Sequence, residues 1–457
     1  MIMPLELKSN FGGDRTIFYD ENRSSDNFGV FFNSHKEINQ DSIFDFLLFG
    51  TILPPSAPLE GVNVLMPGET RIGGESMSEY ENLGLKIKKQ GIEGFVKDFE
   101  EFLGEYFKEN SEPNPAVLLS GGIDSAILLS FLGAGATCVT WGGWGRESSD
   151  VIYSRDTAAK FGVKNHHFVY ADYDKDLEIY LEAVEEIKIP ILFQNSVPHL
   201  RMAEFARNLG IRNCFMGQNA DTVLVSYPAP FLVNRLARLN RFLPFNPAWF
   251  LRSRKKYLFS TPSIVRLFAY FKSSGLFPGP WIRLPEGYFE RKEALLNGLI
   301  FRGTSMQRVI LTEELLTEAR RNQICQNEMP ALYGIRVRCP YYEKKFVELA
   351  LSIPGLLRKK DGYGKVIFKE LARKRGVPEI IINKEKRGLT YGAREFISRK
   401  MHIPVWDKMG KDDFLNKFIN IALVRREKEN NFETFDCLRS LYYWGELVYK
   451  KRNLTLK

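Results

Sequence analysis

The residues best suited to chemistry lie in one short loop, residues 120–125, which read SGGIDS. Its two glycines allow backbone N–H groups to approach an anion closely, and Ser120 and Ser125 add hydroxyl donors. The phosphates of a nucleotide are therefore the expected ligand. A carboxylate repels bare phosphate, so Asp124 is expected to hold Mg²⁺ against those phosphates. The loop is not a Walker loop, because G-x-x-x-x-G-K-S/T does not occur in the chain.

A second polar loop follows a later apolar run. Residues 216–228 read MGQNADTVLVSYP and bring Gly217, Asn219 and Asp221 to the end of a predicted strand. Loops that follow parallel strands of one sheet reach the same edge. Asp221 would then face Asp124, and the two carboxylates could share the metal ions that bind pyrophosphate.

The elements that must position these loops follow from the pattern of apolar residues. Apolar runs alternate with helical patterns, which predicts an α/β fold with a doubly wound parallel sheet and helices on both faces. The predicted strands are 116–119, 137–140, 167–170 and 212–216, and the predicted helices are 93–107, 124–132, 151–161 and 197–209. Short β-like runs are predicted at 28–32 and 62–66, and a mainly helical part from residue 300 onward.

The overall composition indicates a soluble globular protein. The chain has 457 residues, 44% of them hydrophobic and 26% charged, which suits two or more domains. The sequence shows neither an N-terminal apolar stretch nor a run of eighteen uncharged apolar residues, so we expect a cytoplasmic location. The five cysteines have no CxxC spacing, which argues against a disulfide framework or a zinc site.

The net charge of +9 comes from one segment, residues 235–283, which contains ten Lys and Arg residues and no acidic residue. Aromatic residues are interleaved with these cations. One interpretation is a set of amphipathic helices with aromatics in the core and cations in solvent. Another is a surface for an acidic partner or a membrane. Nucleic acid is the least favoured partner.

The first loop resembles the SGGxDS loop of the ATP pyrophosphatase (PP-loop) superfamily, whose members cleave ATP between the α and β phosphates. The ordered set of later motifs resembles the synthetase domain of the asparagine synthetase family. Residues 217–222 resemble its GEGADE loop, and residues 334–343 (GIRVRCPYYE) its G-V/L-E-x-R-x-P-F-L-D segment. Three further matches are residues 365–369, residues 381–388 (IINKEKRG) and the final helix, RSLYYWGELVY.

This resemblance implies an AMP-forming amide ligase that uses ATP and Mg²⁺, adenylates a carboxylate and passes it to an amine. Asp124 and Asp221 would hold Mg²⁺, and Lys386 would be a catalytic lysine that balances charge on phosphate. Lys365 is a weaker candidate of the same kind. The implied contacts with ATP or pyrophosphate are Leu119, Ser120, Gly121, Gly122, Asp124, Ser125, Thr140, Met216, Gly217 and Lys365.

The resemblance covers residues 91–457, which we assign to the synthetase domain. Residues 1–90 are predicted to be a small β-containing remnant, since residues 49–69 resemble only the tail of the family's glutaminase domain. That glutaminase uses a cysteine exposed at the start of the chain, whereas the first cysteine here is Cys138. We therefore expect no glutamine hydrolysis, and nitrogen from an amine, a separate ammonia source or a substrate-carrying peptide.

Two departures bear on the acceptor. Arg336 replaces the family's glutamate at the amine-accepting end of the site, where a cation repels an ammonium group but could bind an acidic substrate. Tyr341 could position the acceptor, or it could be a packed aromatic. Thr222 replaces the acid that follows Asp221, so asparagine is a doubtful product.

Two alternative functions remain open from the sequence. One is a PP-loop enzyme that adenylates a tRNA base, which the basic segment allows and the C-terminal motifs oppose. The other is a non-catalytic ATP-binding protein, which Arg336 and Thr222 favour and which the intact SGGIDS loop and Lys386 oppose.

Overall fold

The computed structural model describes residues 6–13, 15–72, 74–144, 148–226, 281–288, 290–292, 303–316, 318–360, 363–384, 404–428 and 431–456, and residues 231, 294 and 393. Its first part contains two small antiparallel sheets. Their strands are β1 (Glu6–Lys8), β2 (Phe18–Tyr19), β3 (Ser24–Ser25), β4 (Asn63–Val64), β5 (Glu69–Ile72) and β6 (Glu75–Ser78). Helix α1 (Gln40–Phe49) and 3₁₀ helices at Phe28–Asn33 and Glu79–Asn82 complete this part.

A five-stranded sheet positions the two polar loops. Its strands are β7 (Ala116–Leu118), β8 (Thr137–Gly143), β9 (Asn165–Tyr170), β10 (Asn213–Met216) and β11 (Arg336–Arg338). They lie in the order β11-β10-β7-β8-β9, and every neighbouring pair is parallel. The accompanying helices are α2 (Ile92–Asn110), α3 (Ile123–Leu132), α4 (Ser149–Lys160), α5 (Tyr173–Ile187) and α6 (Phe193–Asn208). The predicted α/β fold with a parallel sheet is confirmed.

The remainder of the described chain is mainly helical, as predicted. Helix α7 (Ala220–Val223) has a single turn. Later in the chain, the short strands β12 (Lys359–Lys360) and β13 (Tyr363–Gly364) pair as an antiparallel hairpin. The later helices are α8 (Ser305–Leu316), α9 (Glu318–Ala331), α10 (Lys344–Leu351), α11 (Val366–Lys374), α12 (Glu379–Ile382), α13 (Asp413–Phe418), α14 (Ile421–Lys428) and α15 (Phe432–Trp444). Two 3₁₀ turns, Pro340–Tyr342 and Gly355–Leu357, and a π-helical turn, Gly445–Lys450, lie among them.

Burial explains why the central strands are so apolar. Every residue of β7 is buried, and in β8 only the first residue is partly exposed. Parallel strands are covered on both faces and therefore read as nearly continuous apolar runs. Helix α2 instead buries a single stripe, because its apolar residues recur at helical spacing. These strands and helices lie within a few residues of the predicted bounds.

Several elements differ from the sequence-based expectation. The β-like run at residues 28–32 is a 3₁₀ helix, which the Asn27 side chain caps by accepting from the Gly29 N–H. Phe28, Phe31 and Phe32 recur at helical spacing and are all buried, so packing selects the helix. Strand β11 was not expected, and it forms along the open side of β10. Helices α1 and α5 were also not predicted.

One continuous hydrophobic core joins the first part of the chain to the rest. It includes Phe11, Phe44 and Leu118 as well as Leu454. Phe44 packs edge-on against Phe418, and the Cys437 thiol lies 3.5 Å from the Phe46 carbonyl oxygen. A domain boundary near residue 90 stays a prediction. Within the described residues, no helix is both long enough and apolar enough to span a bilayer.

Candidate active site

The two polar loops meet at the carboxyl edge of the sheet. Strands β7 and β10 are hydrogen-bonded neighbours and run parallel, with Leu118 opposite Met216. The loop after β7 leads into α3 at Ile123, and the loop after β10 leads into α7 at Ala220. In the described structure, no side chain caps the N-terminus of α3. Free N–H groups and the positive end of the helix dipole make such a terminus a binding site for phosphate.

The hydroxyl groups of Ser120 and Ser125 stabilise the first loop through hydrogen bonds within it. The Ser120 backbone N–H donates to Ser125 Oγ over 3.1 Å, and the two hydroxyl oxygens lie 3.0 Å apart. The Gly122 N–H donates to Ser120 Oγ over 3.3 Å. Ser125 is buried, so its hydroxyl fixes the shape of the loop in this structure. Phosphate contacts of Ser120 and Ser125 stay a prediction.

Two glycines allow close approach around this loop. A Cβ on Gly217 would lie 2.8 Å from the Ser125 nitrogen and 2.9 Å from the Asp124 carbonyl carbon, both backbone atoms that cannot easily move aside. A Cβ on Gly121 would lie 2.8 Å from Tyr153 Cβ. Gly217 is therefore required for the second loop to reach the first.

The ammonium group of Lys365 joins the two predicted metal ligands. Its Nζ lies 2.6 Å from each carboxylate oxygen of Asp124 and 2.7 Å from Asp221 Oδ1. Because both carboxylates contact the same nitrogen atom, Asp124 and Asp221 lie next to each other. Burial lowers the pKa of Lys365, while the charge of Asp124 and its hydrogen bond act in the opposite direction.

Backbone geometry places Lys365 at this point. Lys365 precedes the first residue of α11 and has a left-handed backbone, with φ of 58°. Before it, the β12–β13 hairpin packs against the segment after α7. A Cβ on Gly364 would lie 2.2 Å from the Val225 carbonyl oxygen, so only glycine permits this approach. Lys365 and Asp221 are thereby held by segments in direct contact.

Two buried side chains, those of Tyr341 and Asn219, form a chain of hydrogen bonds to the backbone of Asp124. Tyr341 is fully buried, and its hydroxyl donates to the Asp124 carbonyl oxygen over 2.9 Å. The Asn219 side chain donates to the Tyr341 carbonyl oxygen over 3.0 Å. Tyr341 packs against Phe346 and Phe368, which matches the packed-aromatic interpretation, and its contact with an acceptor stays a prediction.

Sequence reasoning did not single out Lys384. Its Nζ donates to the Gly121 carbonyl oxygen over 3.2 Å, forms an ion pair with Asp150 and lies 4.4 Å from the centre of the Tyr153 ring. Lys384 therefore stabilises the backbone of the first loop at Gly121. The available signal was the segment 381–388, which resembles a family motif and contains Lys384.

The expected nucleotide contacts on the neighbouring strands are buried. The Thr140 hydroxyl donates to the Leu119 carbonyl oxygen over 2.6 Å and lies 2.8 Å from His166 Nε2. Burial lowers the pKa of His166 to about 4, with smaller contributions from His167 and Arg155, so its ring is neutral near pH 7. Leu119 and Met216 are also buried. These residues shape the strand ends, and their contacts with ATP stay predictions.

One predicted site residue, Arg336, is not brought to this cluster. Arg336 pairs with Asn213 at the amino ends of β11 and β10, opposite the edge that holds Asp124, and it is exposed. This placement gives no support to an acceptor role, which stays a prediction. Lys386 and most of the basic segment 235–283 lie outside the described residues.

The donor set suits Mg²⁺. This ion is commonly held by one or two carboxylates together with substrate phosphate oxygens and water. In the part of the chain that the structure describes, no cluster of three or more His, Cys, Asp and Glu side chains could enclose a metal by itself. Asp124 and Asp221 would therefore hold Mg²⁺ in the company of a nucleotide.

Comparison with known proteins agrees with this geometry. A protein-family model described as asparagine synthase matches residues 110–432, which include both loops, the Lys365 hairpin and the segment after Ile381. A search of curated proteins finds no match to the chain.

Proposed function

The chain belongs to the asparagine synthase family, and from that premise we propose that it is an ATP-dependent carbon–nitrogen ligase that adenylates a carboxylate. The observation that carries the proposal is the meeting of Asp124, Asp221 and Lys365 beside the N-terminus of α3. Two acids and one buried cation at a phosphate-binding helix end suit a triphosphate and its counter-ions.

In the first half-reaction, a carboxylate oxygen attacks the α-phosphorus of ATP, the bond to the β-phosphate oxygen breaks, and an acyl-adenylate and pyrophosphate form. The residues of the first loop and the N-terminus of α3 would bind the departing pyrophosphate. Mg²⁺ held by Asp124 and Asp221 would supply charge neutralisation. Lys365 would donate to phosphate oxygens. Catalysis of this step consists mostly of alignment and charge stabilisation.

In the second half-reaction, an amine nitrogen attacks the acyl carbon, AMP departs with the bonding electrons, and the nitrogen loses a proton. We propose that this nitrogen comes from an amine or from ammonia made elsewhere. All five cysteines are buried, and burial raises the pKa of Cys138 and Cys214 to about 12. Protonated, buried thiols are poor nucleophiles, so none suits glutamine hydrolysis.

Two parts of the proposal concern residues outside the described ranges. Lys386 is proposed to balance charge on phosphate and on the collapsing intermediate, as the family motif implies. Segment 235–283 is proposed to contact an acidic acceptor or a membrane surface, since its cations have no acidic neighbours in sequence.

Exchange of radiolabelled pyrophosphate into ATP, measured across a panel of carboxylates, tests the proposal. We expect exchange that requires a particular carboxylate and that Asp124→Ala abolishes. The control is Asp156→Ala, which removes an exposed acid of α4 and should leave exchange unchanged. Tight ATP binding without exchange on any substrate would indicate a non-catalytic ATP-binding protein, and exchange that requires RNA would indicate a tRNA-modifying enzyme.

A further inference from the structure

The side chain of Lys365 occupies the position between Asp124 and Asp221. Lys365 Nζ contacts both Asp124 and Asp221, and the lysine side chain is only 6% exposed. Three contacts of 2.6 to 2.7 Å fill the space between the carboxylates. A divalent cation that entered the same space would meet an ammonium group at direct-contact distance.

Charge decides which cation can occupy this position. Among the described residues, two carboxylates and one ammonium leave one negative charge at this partly buried position, whereas a divalent cation added beside Lys365 would create a net positive cluster. Repulsion between like charges is strong where water is largely excluded. A metal ion alone is thus disfavoured. A nucleotide changes the balance, because its phosphate oxygens give the ammonium group an alternative partner.

We propose that Lys365 is an exchangeable counter-cation, which holds Asp124 and Asp221 together without nucleotide and transfers to the phosphates when a metal–nucleotide complex binds. This inference rests on the proposed function for the identity of the metal ligands. It adds an order of events, since the acids become available to a metal only together with a polyphosphate.

The backbone at Lys365 is suited to this exchange. A left-handed conformation is costly for a residue with a Cβ and persists where the surrounding structure imposes it. Here the Gly364 contact with Val225 and the start of α11 fix the backbone of Lys365. The ammonium group lies at the end of a long, flexible side chain, so it can move from carboxylate to phosphate while the backbone stays in place.

The experiment is a Mn²⁺ titration of the full chain, in which the concentration of free Mn²⁺ is monitored by electron paramagnetic resonance. It is run with and without α,β-methylene-ATP, which cannot be cleaved between the α and β phosphates, and the Mn²⁺ bound by the nucleotide without protein is measured separately and subtracted. For the wild-type chain, we expect strong binding only with the nucleotide. For Lys365→Met, we expect Mn²⁺ binding without nucleotide at least about tenfold tighter than in the wild type, because a like charge is removed.

The matched control is Lys374→Met. It removes the same charge from the last residue of α11, where Lys374 pairs with Glu100 at the surface, and nucleotide-free Mn²⁺ binding should equal that of the wild type. If Lys365→Met does not fold, Lys365→Gln replaces it, since the amide can still donate to one carboxylate.

Two results would overturn the inference. One is wild-type binding of Mn²⁺ that is equally tight with and without nucleotide. The other is an unchanged nucleotide-free affinity in the Lys365 variants. Both measurements are independent of adenylation, so a chain that passes them but catalyses no pyrophosphate exchange would refute the proposed function and leave this inference standing.

Discussion

Two buried lysines of this protein have opposite surroundings. Lys292 and Lys365 are similarly hidden, with 4% and 6% of their side chains exposed. Lys292 contacts the fully buried Asp45 at 2.9 Å. The other oxygen of Asp45 accepts from the Tyr288 hydroxyl over 2.7 Å, and the Leu53 N–H donates to the carboxylate over 3.1 Å. One cation and one acid with further donors make a closed cluster.

The Lys365 cluster is more accessible to solvent. Among the described residues, its ammonium group contacts two carboxylates, and the side chains of Asp124 and Asp221 are 14% and 24% exposed. A closed ion pair fastens α1 to the segment around Lys292. In the Lys365 cluster, two acids of the described chain contact one cation and both stay partly exposed, which suits a site that receives a ligand. The two lysines are similarly buried, so the number of acids that each contacts and the exposure of those acids distinguish the structural cluster from the candidate active site.

The largest expected effect is on stability. Lys292→Met should lower the free energy of unfolding by about 3–5 kcal/mol, because Asp45 is left buried without its cation. Burial raises the pKa of Asp45 despite Lys292, so the variant carboxyl should take up a proton. Lys365→Met should lower the free energy of unfolding by less, about 1 kcal/mol, since both of its acids keep contact with water. Urea denaturation measures the free energy of unfolding of both variants. A larger loss in Lys365→Met than in Lys292→Met would contradict the distinction between the two clusters.

A second effect concerns catalysis and belongs to the Lys365 cluster alone. Asp221→Asn keeps the shape of the side chain but removes one charge, and should lower pyrophosphate exchange about 10²- to 10³-fold. Stability should change little. Asp407→Asn is the control, because Asp407 is an exposed partner of Arg425. Full activity in Asp221→Asn would assign the Lys365 cluster to a structural role.

A third expected effect is on the pH dependence of stability, and it involves the buried His199. Burial lowers the pKa of His199 to about 4, so the folded state binds fewer protons than the unfolded state between that value and about 6.5. Stability should therefore fall as the pH drops through this window, by about 2 kcal/mol between pH 7 and pH 5 from this residue. His199→Gln should remove that part of the loss, measured by denaturation at both pH values. An unchanged pH dependence would contradict a neutral, enclosed His199.

The smallest expected effect concerns the contact of Lys384 with the first loop. Lys384→Met removes the contact with the Gly121 carbonyl oxygen and should raise the KM for ATP about tenfold, equivalent to one charge-assisted hydrogen bond. Lys384→Arg should restore much of this loss, because it keeps a donor and a charge. Steady-state kinetics separates KM from kcat. A loss confined to kcat would place Lys384 among the reacting groups instead.

Local sequence predicted the central sheet and the first loop well. Strand β7 and helix α3 are formed by residues adjacent in sequence, and the apolar run, glycines and helical spacing all lie within one stretch. Strand β11 could not be predicted in this way. Its three residues include two arginines, and it is a strand because β10 offers it a partner. The 3₁₀ helix at residues 28–33 similarly depends on how its aromatic residues pack.

The amino-acid sequence alone predicted a glycine turn between a buried strand and a helix, since this turn depends only on residues that are adjacent in the chain. Motif order further indicated that Asp124 and Asp221 belong to one site. Only the tertiary structure decided that Lys365, 241 residues after Asp124, lies between these acids, and that Lys384 braces Gly121. Such contacts arise from packing of the whole chain, with the Gly364–Val225 approach and the sheet order both contributing. A local pattern carries no information about them, because each segment acquires its neighbours only when the core forms.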